Sequence, residues 1–121
     1  MKRLLALSTL TLLVGLASAQ TSRIELRANL TGAGTGKAVW KTRDQGTHLE
    51  AQLESEGQRL RPNQAYRLNV GPRSWTVRTD ATGAYRFALP FLGANRPVIV
   101  AGTRVVVLNS AGVIVLTGLF Q

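Results

Sequence analysis

The sequence of 121 residues contains no cysteine, one histidine and only six acidic side chains. Without cysteine, the fold depends on packing rather than disulfides, and the chain lacks the residue that a bacterial lipid anchor requires. A lone His48 without cysteine does not make a metal or thiol site. No Gly-x-Ser-x-Gly motif marks a serine nucleophile. No repeat of about 20 to 50 residues indicates a solenoid or propeller. We therefore expect no disulfide, no metal site and no cofactor.

The first residues have the features of an export signal. Lys2 and Arg3 precede a mostly apolar stretch over residues 4–16, and Ala17-Ser18-Ala19 is a small-residue cleavage site. The apolar stretch is shorter than the roughly 20 residues that a membrane span needs. We expect residues 1–19 to be a cleaved signal peptide and residues 20–121 to form one domain, secreted or periplasmic, without an integral membrane span.

Apolar and polar residues alternate along most of the mature chain, which is typical of half-buried strands. Turn residues separate the alternating segments. The third segment is rich in helix formers, but Leu49, Ala51 and Leu53 recur at a spacing of two, which favours a strand. The alternating glycines of residues 31–36 predict a flexible turn. The predicted strands cover residues 23–30, 37–43, 47–55, 65–70, 73–79, 84–89, 103–109 and 113–120, with an additional short strand considered at 98–101.

These segments predict an all-β protein, a single small antiparallel β-sandwich of seven or eight strands. The register places five aromatic side chains in the core: Trp40, Tyr66, Trp75, Tyr85 and Phe87. Residues 105–108 and 113–116 are apolar on both faces, which predicts a central position in the sheet. If residues 98–108 or 113–120 instead formed an edge strand, we would expect weak self-association through it.

The segment Thr79-Asp80-Ala81-Thr82-Gly83-Ala84-Tyr85-Arg86-Phe87 resembles a turn of secreted transthyretin-like and carboxypeptidase-regulatory-like β-sandwich modules. In such a turn, Asp80 accepts hydrogen bonds from the backbone and Gly83 adopts a positive φ. The resemblance covers nine residues. It implies a fold class and no activity, because such modules are mostly noncatalytic stalks and accessory domains.

The mature chain is strongly basic, with 13 basic and six acidic side chains, and 11 of the basic residues are arginine. Guanidinium groups pair with carboxylates and phosphates in a bidentate manner. The densest basic region lies in the loop after the third strand and on the two strands that follow. The candidate anion-binding residues are Arg59, Arg61, Arg67, Arg73 and Arg78.

These features lead to three functional hypotheses. The first is a noncatalytic module, not an enzyme, that binds or scaffolds at the cell envelope or in the periplasm, with an envelope protein as partner. The second is a basic adaptor for an anionic polymer, a lipid surface or extracellular nucleic acid. The third is a small secreted hydrolase that uses carboxylates such as Glu50, Glu54 and Glu56. However, exposed acids in a basic sheet more often balance cations on neighbouring strands.

Overall fold

A computed structural model describes residues 21–121, so the predicted signal peptide lies outside the described residues. Eight strands and one short 3-10 turn, Gly93–Asn95, make up the regular structure. The strands are β1 (Thr21–Gly32), β2 (Thr35–Gln45), β3 (His48–Gln58), β4 (Ala65–Val70), β5 (Arg73–Arg78), β6 (Tyr85–Leu92), β7 (Arg104–Leu108) and β8 (Ile114–Leu119). The all-β prediction is confirmed, and the third segment is a strand. Residues 98–101 form no strand.

The strands form one continuous sheet in the order β5-β4-β7-β8-β1-β2-β3-β6, and every hydrogen-bonded pair is antiparallel. The two end strands, β5 and β6, approach each other, which gives the sheet a nearly closed, barrel-like shape. The predicted sandwich of two sheets was wrong. Period-two patterning identifies an inner face but does not tell whether two sheets supply it or one twisted sheet curls over it.

The inner face of the curled sheet forms the core. Trp40, Tyr66 and Tyr85 are buried, and Trp75 and Phe87 are partly buried against the core, as the alternation predicted. The side chain hydroxyls of Ser55 and Tyr85 are hydrogen-bonded at 2.8 Å, and burial raises the pKa of Tyr85. Leu60, an apolar residue of the polar β3–β4 loop, is also buried. The largest fully buried side chains are Leu30, Leu53, Leu68, Val70, Val105, Val107, Leu116 and Phe120.

The apolar strands β7 and β8 lie in the middle of the sheet, as predicted. β7 pairs with β4 and β8, and β8 pairs with β7 and β1. Neither strand therefore offers the free edge through which self-association was considered. Between Thr21 and Gln121, no helix has the length and apolarity needed to cross a bilayer.

Candidate anion-binding surface

Acidic and basic residues are separated along the sequence. Five of the six acids lie between Glu25 and Glu56, whereas residues 57–121 contain eight arginines and a single acid, Asp80. The fold keeps this separation, because the first group of residues forms the β1–β2–β3 part of the sheet and the second group forms most of the remainder. The two parts of the sheet therefore differ in their charge balance.

On the outer face of β1–β3, the acids lie beside basic side chains. Glu25 pairs with Arg27 at 2.6 Å, and the carboxylates of Glu54 and Glu56 lie 3.9 Å from the ammonium groups of Lys41 and Lys37. A Glu50 carboxylate oxygen lies 2.7 Å from His48 Nε2. These contacts are the cross-strand and same-strand charge balance that the sequence favoured over a pair of catalytic acids.

The loop between β3 and β4 carries Arg59 and Arg61 on a backbone that is held in place. Arg59 and Asn63 have φ values of 64° and 56°, a left-handed conformation that asparagine tolerates well and that is uncommon for arginine. The Tyr66 hydroxyl accepts a 3.1 Å hydrogen bond from the Arg61 amide, and the Thr79 hydroxyl donates to the Arg61 carbonyl at 2.6 Å. Arg59 and Arg61 are therefore presented from a positioned loop.

A solvent-open cleft of about 550 Å³ lies between this loop and the β7–β8 turn. A smaller adjoining cleft of about 370 Å³ includes Arg67 and shares part of the same wall. None of the described residues that line the two clefts is acidic. The polar and aromatic residues of the larger cleft are Arg59, Arg61, Gln64, Tyr66, Asn109 and Ser110.

Two further candidate arginines lie on the β4–β5 hairpin, at different ends. Arg78 is opposite Ala65, which lines both clefts, so Arg78 belongs to the same region as Arg67. Arg73 is opposite Val70 at the other end of the hairpin and donates a 3.4 Å hydrogen bond to the Asn95 carbonyl. Arg73 and Arg78 are five residue steps apart along an extended strand, a distance of roughly 17 Å. The structure brings four of the five candidates together and leaves Arg73 apart.

The four clustered guanidinium groups form no hydrogen bond or ion pair with another residue of the described segment 21–121. The one acid of this part of the chain, Asp80, is engaged within its own turn. Its carboxylate accepts hydrogen bonds from Thr82 Oγ1 at 2.7 Å, the Thr82 amide at 2.8 Å and the Ala84 amide at 3.1 Å, which lower the pKa of Asp80. We call Arg59, Arg61, Arg67 and Arg78, together with the two clefts, the basic surface.

No pattern in the sequence indicated the far wall of the basic surface. Asn109 and Ser110 lie about 50 residues from Arg59 in the chain and reach it through the pairing of β4 with β7. Nor was Tyr66 recognised as the anchor of the Arg61 amide, because its alternation marked it only as a core residue. No local pattern signals either contact.

Sequence comparison with protein families and curated proteins assigns this surface no role. No protein-family model matches the sequence, and no curated protein is a significant match. In the described part of the chain, no three His, Asp or Glu side chains form a set of metal ligands. The chemistry of the basic surface is therefore the basis for a functional assignment.

Proposed function

We propose that the mature protein is a noncatalytic binding module of the cell envelope or periplasm that binds an anionic polymer through the basic surface. The observation that carries this proposal is an acid-free cleft beside four arginines whose guanidinium groups have no partner within residues 21–121. Guanidinium groups left free in this way can pair with phosphate, sulfate or carboxylate groups. The local resemblance to accessory modules supports the noncatalytic part of the proposal.

The separation of charge supports a defined site rather than a uniformly basic surface. The lysines and Arg27 on β1–β3 already face carboxylates at 2.6 to 3.9 Å, so an external anion must compete with an internal one there. At the basic surface no such competition exists. The Arg59–Arg61 backbone is also held before binding, which reduces the entropy lost when an anion orders the loop.

The test compares two variants of equal charge on immobilised heparin and on single-stranded DNA over a salt series. The first variant replaces Arg59, Arg61, Arg67 and Arg78 with glutamine. The control replaces Lys37, Lys41, Arg43 and Arg86, on the opposite part of the sheet. We expect the first variant to bind about 100-fold more weakly and its salt slope to fall by about 3, because four phosphate contacts are lost.

The control variant should bind within about threefold of the unmodified protein, since its cations lie outside the proposed contact. Equal losses in both variants would show that net charge alone drives binding and would refute the site. Absence of binding at low ionic strength would refute the polymer-binding function altogether. Anionic vesicles in a third arm distinguish a lipid surface from a polymer.

A further inference from the structure

One segment of β1 has a free sheet edge. The last residue, Gln121, exchanges two backbone hydrogen bonds with Arg27, at 2.9 and 3.2 Å. Residues before Arg27 pair on one side with β2, and no described residue pairs with them on the other side. The chain thus presents an unpaired edge over residues 21–26, which is a template for another strand.

The direction of the backbone groups along this edge follows from the Arg27 bonds. In an antiparallel ladder, the amide and carbonyl of one residue point to the same neighbour, and alternate residues point to opposite neighbours. Since Arg27 points toward Gln121, Arg23 and Glu25 point toward the free edge, and Ile24 points toward β2. Ile24 is 52% exposed, although its side chain is on the inner face of the sheet.

The free edge is complementary to itself in one register. When two copies of this edge pair about a two-fold axis, the residues that point toward the free edge must lie opposite each other. These residues alternate along the strand, so the two-fold axis passes through a residue and not between two residues. An axis at Arg23 sets two arginines opposite each other, and an axis at Glu25 sets Arg23 opposite Arg27, which is already bonded to Gln121. An axis at Ile24 sets Arg23 of each copy opposite Glu25 of the other. In this register the pairing ends at Ser22, because Thr21 would lie opposite Arg27, which Gln121 already occupies.

We propose that a second copy of this protein pairs with Ser22–Leu26 in this register, which forms a two-fold dimer through β1. The existing charges favour it. Arg23 lies opposite Arg43 within its own sheet and has no carboxylate within 4 Å in residues 21–121. Glu25 from the other copy supplies that carboxylate, which then bridges Arg23 of the partner and the Arg27 that it already contacts at 2.6 Å. The two exposed Ile24 side chains also meet at the axis and lose water contact.

The absence of cysteine from the chain allows a register-specific test by disulfide formation in the mature protein, residues 20–121. Ile24→Cys places two thiols at the axis in a non-hydrogen-bonded pair, with Cα atoms about 4.5 Å apart, a separation that a disulfide spans. We expect Ile24→Cys to form a covalent dimer upon mild oxidation. Ser22→Cys is the matched control, because its Cα atoms would lie about 14 Å apart.

A mixture of Ser22→Cys and Leu26→Cys should yield the mixed disulfide, because these residues are opposite each other in the proposed register. If Ile24→Cys stays monomeric, or Ser22→Cys crosslinks with itself as readily, the proposed pairing is wrong. Both measurements are independent of anion binding, so the dimer and the basic surface can fail separately.

Charge reversal tests the same register without a crosslink. Arg23→Glu and Glu25→Arg should each weaken the dimer about tenfold in sedimentation equilibrium, since each sets like charges opposite each other twice. The double variant Arg23→Glu/Glu25→Arg restores opposite charges and should return to within about threefold of the unmodified protein. Arg104→Glu, an exposed arginine away from this edge, controls for net charge. Failure of the double variant to recover affinity, or no dimer in the unmodified protein, would overturn the proposal.

Discussion

Asp80, in the turn between β5 and β6, and Asn109, in the β7–β8 hairpin, organise their turns in the same way. In each, the side chain oxygen accepts hydrogen bonds from the amides two and four residues later, Thr82 and Ala84 in the first turn and Ala111 and Val113 in the second. A glycine three residues after the capping residue then adopts a positive φ, 84° at Gly83 and 79° at Gly112. The local geometry predicted for Asp80 and Gly83 is confirmed, and the same geometry recurs at Asn109 and Gly112.

The two glycines differ in their surroundings, so they separate two reasons for a glycine at a turn: the positive φ and the lack of room for a side chain. A Cβ at position 83 would overlap the carbonyl oxygen of Leu60, whereas a Cβ at position 112 would meet no atom within 4 Å. We expect Gly112→Ala to lower the free energy of unfolding by about 1 kcal/mol, the cost of a left-handed alanine. Gly83→Ala should cost at least about 2 kcal/mol more, because it also displaces the Leu60 backbone.

Urea unfolding of the two alanine variants measures this difference directly. Similar losses in both would show that the contact with Leu60 relaxes at little cost. The sequence could predict the positive φ of Gly83 from its turn, but not the Leu60 contact. That contact joins residues 60 and 83 through the packing of one loop against another, and local patterning carries no information about it.

The strands themselves were largely predictable, and the exceptions have a physical cause. The bounds of β4 match the prediction, because the alternation ends at clear turn residues on both sides. The glycine run 31–36 was expected to interrupt regular structure, yet Gly32 belongs to β1 and Gly36 to β2. A Cβ at Gly36 would overlap the Glu56 carbonyl oxygen, so close strand approach explains this glycine.

The connection after β6 is tied to the β2–β3 hairpin by one ion pair that no sequence pattern indicated. Arg96 donates two hydrogen bonds of 2.8 Å to the two carboxylate oxygens of Asp44 and a third, of 3.1 Å, to the Glu50 carbonyl. The predicted second strand ended at residue 43, just before Asp44, and the partner of Asp44 lies 52 residues away. The pair therefore holds the connection against the β2–β3 hairpin.

This ion pair predicts a specific loss of stability in acid. The hydrogen bond from Arg96 lowers the pKa of Asp44 below its ordinary value of 3.8. The stabilisation is therefore fully present above pH 3.8 and is lost as the pH falls through the lower pKa of the folded state. We expect urea unfolding between pH 6 and pH 2 to show a smaller pH dependence in Asp44→Asn than in the unmodified protein.

Asp80→Asn is the matched comparison, because the pKa of Asp80 is also lowered, but by hydrogen bonds within one turn. Loss of the Asp80 carboxylate should also reduce the pH dependence of the free energy of unfolding between pH 6 and pH 2. The double variant Asp44→Asn/Asp80→Asn should flatten the curve further, since the two sites share no contact. An acid transition unchanged by Asp44→Asn would show that the ion pair contributes nothing to the pH dependence.

For the molecule as a whole, the sequence predicted which residues share a face of the sheet better than it predicted how the sheet is arranged in space. Alternation identified the inner aromatics, and charge density identified four arginines that the fold brings to one region. Charge density could not exclude Arg73, because the arrangement of the β4–β5 hairpin decides at which end of it each arginine lies. The sequence also could not predict that one sheet curls, since closure depends on twist accumulated over β1, β2 and β3, each 11 or 12 residues long.

Aromatic side chains hold the two ends of the sheet together where no strand ladder does. β5 and β6 are adjacent but are not hydrogen-bonded neighbours. Trp75 of β5 lies 5.6 Å from Phe87 and 6.4 Å from Phe91 of β6, between ring centroids, and Phe91 lies 5.9 Å from Trp40. Closure of the barrel-like sheet along this seam therefore depends on side chain packing.

Removing Trp75 should open the seam before the rest of the sheet unfolds. We expect Trp75→Ala to lower the free energy of unfolding by about 2 to 3 kcal/mol, because a partly buried aromatic side chain is lost. In amide hydrogen exchange, β5 should lose protection while β2 and β3 keep most of theirs, since β5 is then held only by β4. Leu53→Ala, in the buried part of β3, is the control. It should reduce protection throughout the sheet, and the same uniform loss in Trp75→Ala would contradict closure by the aromatic seam.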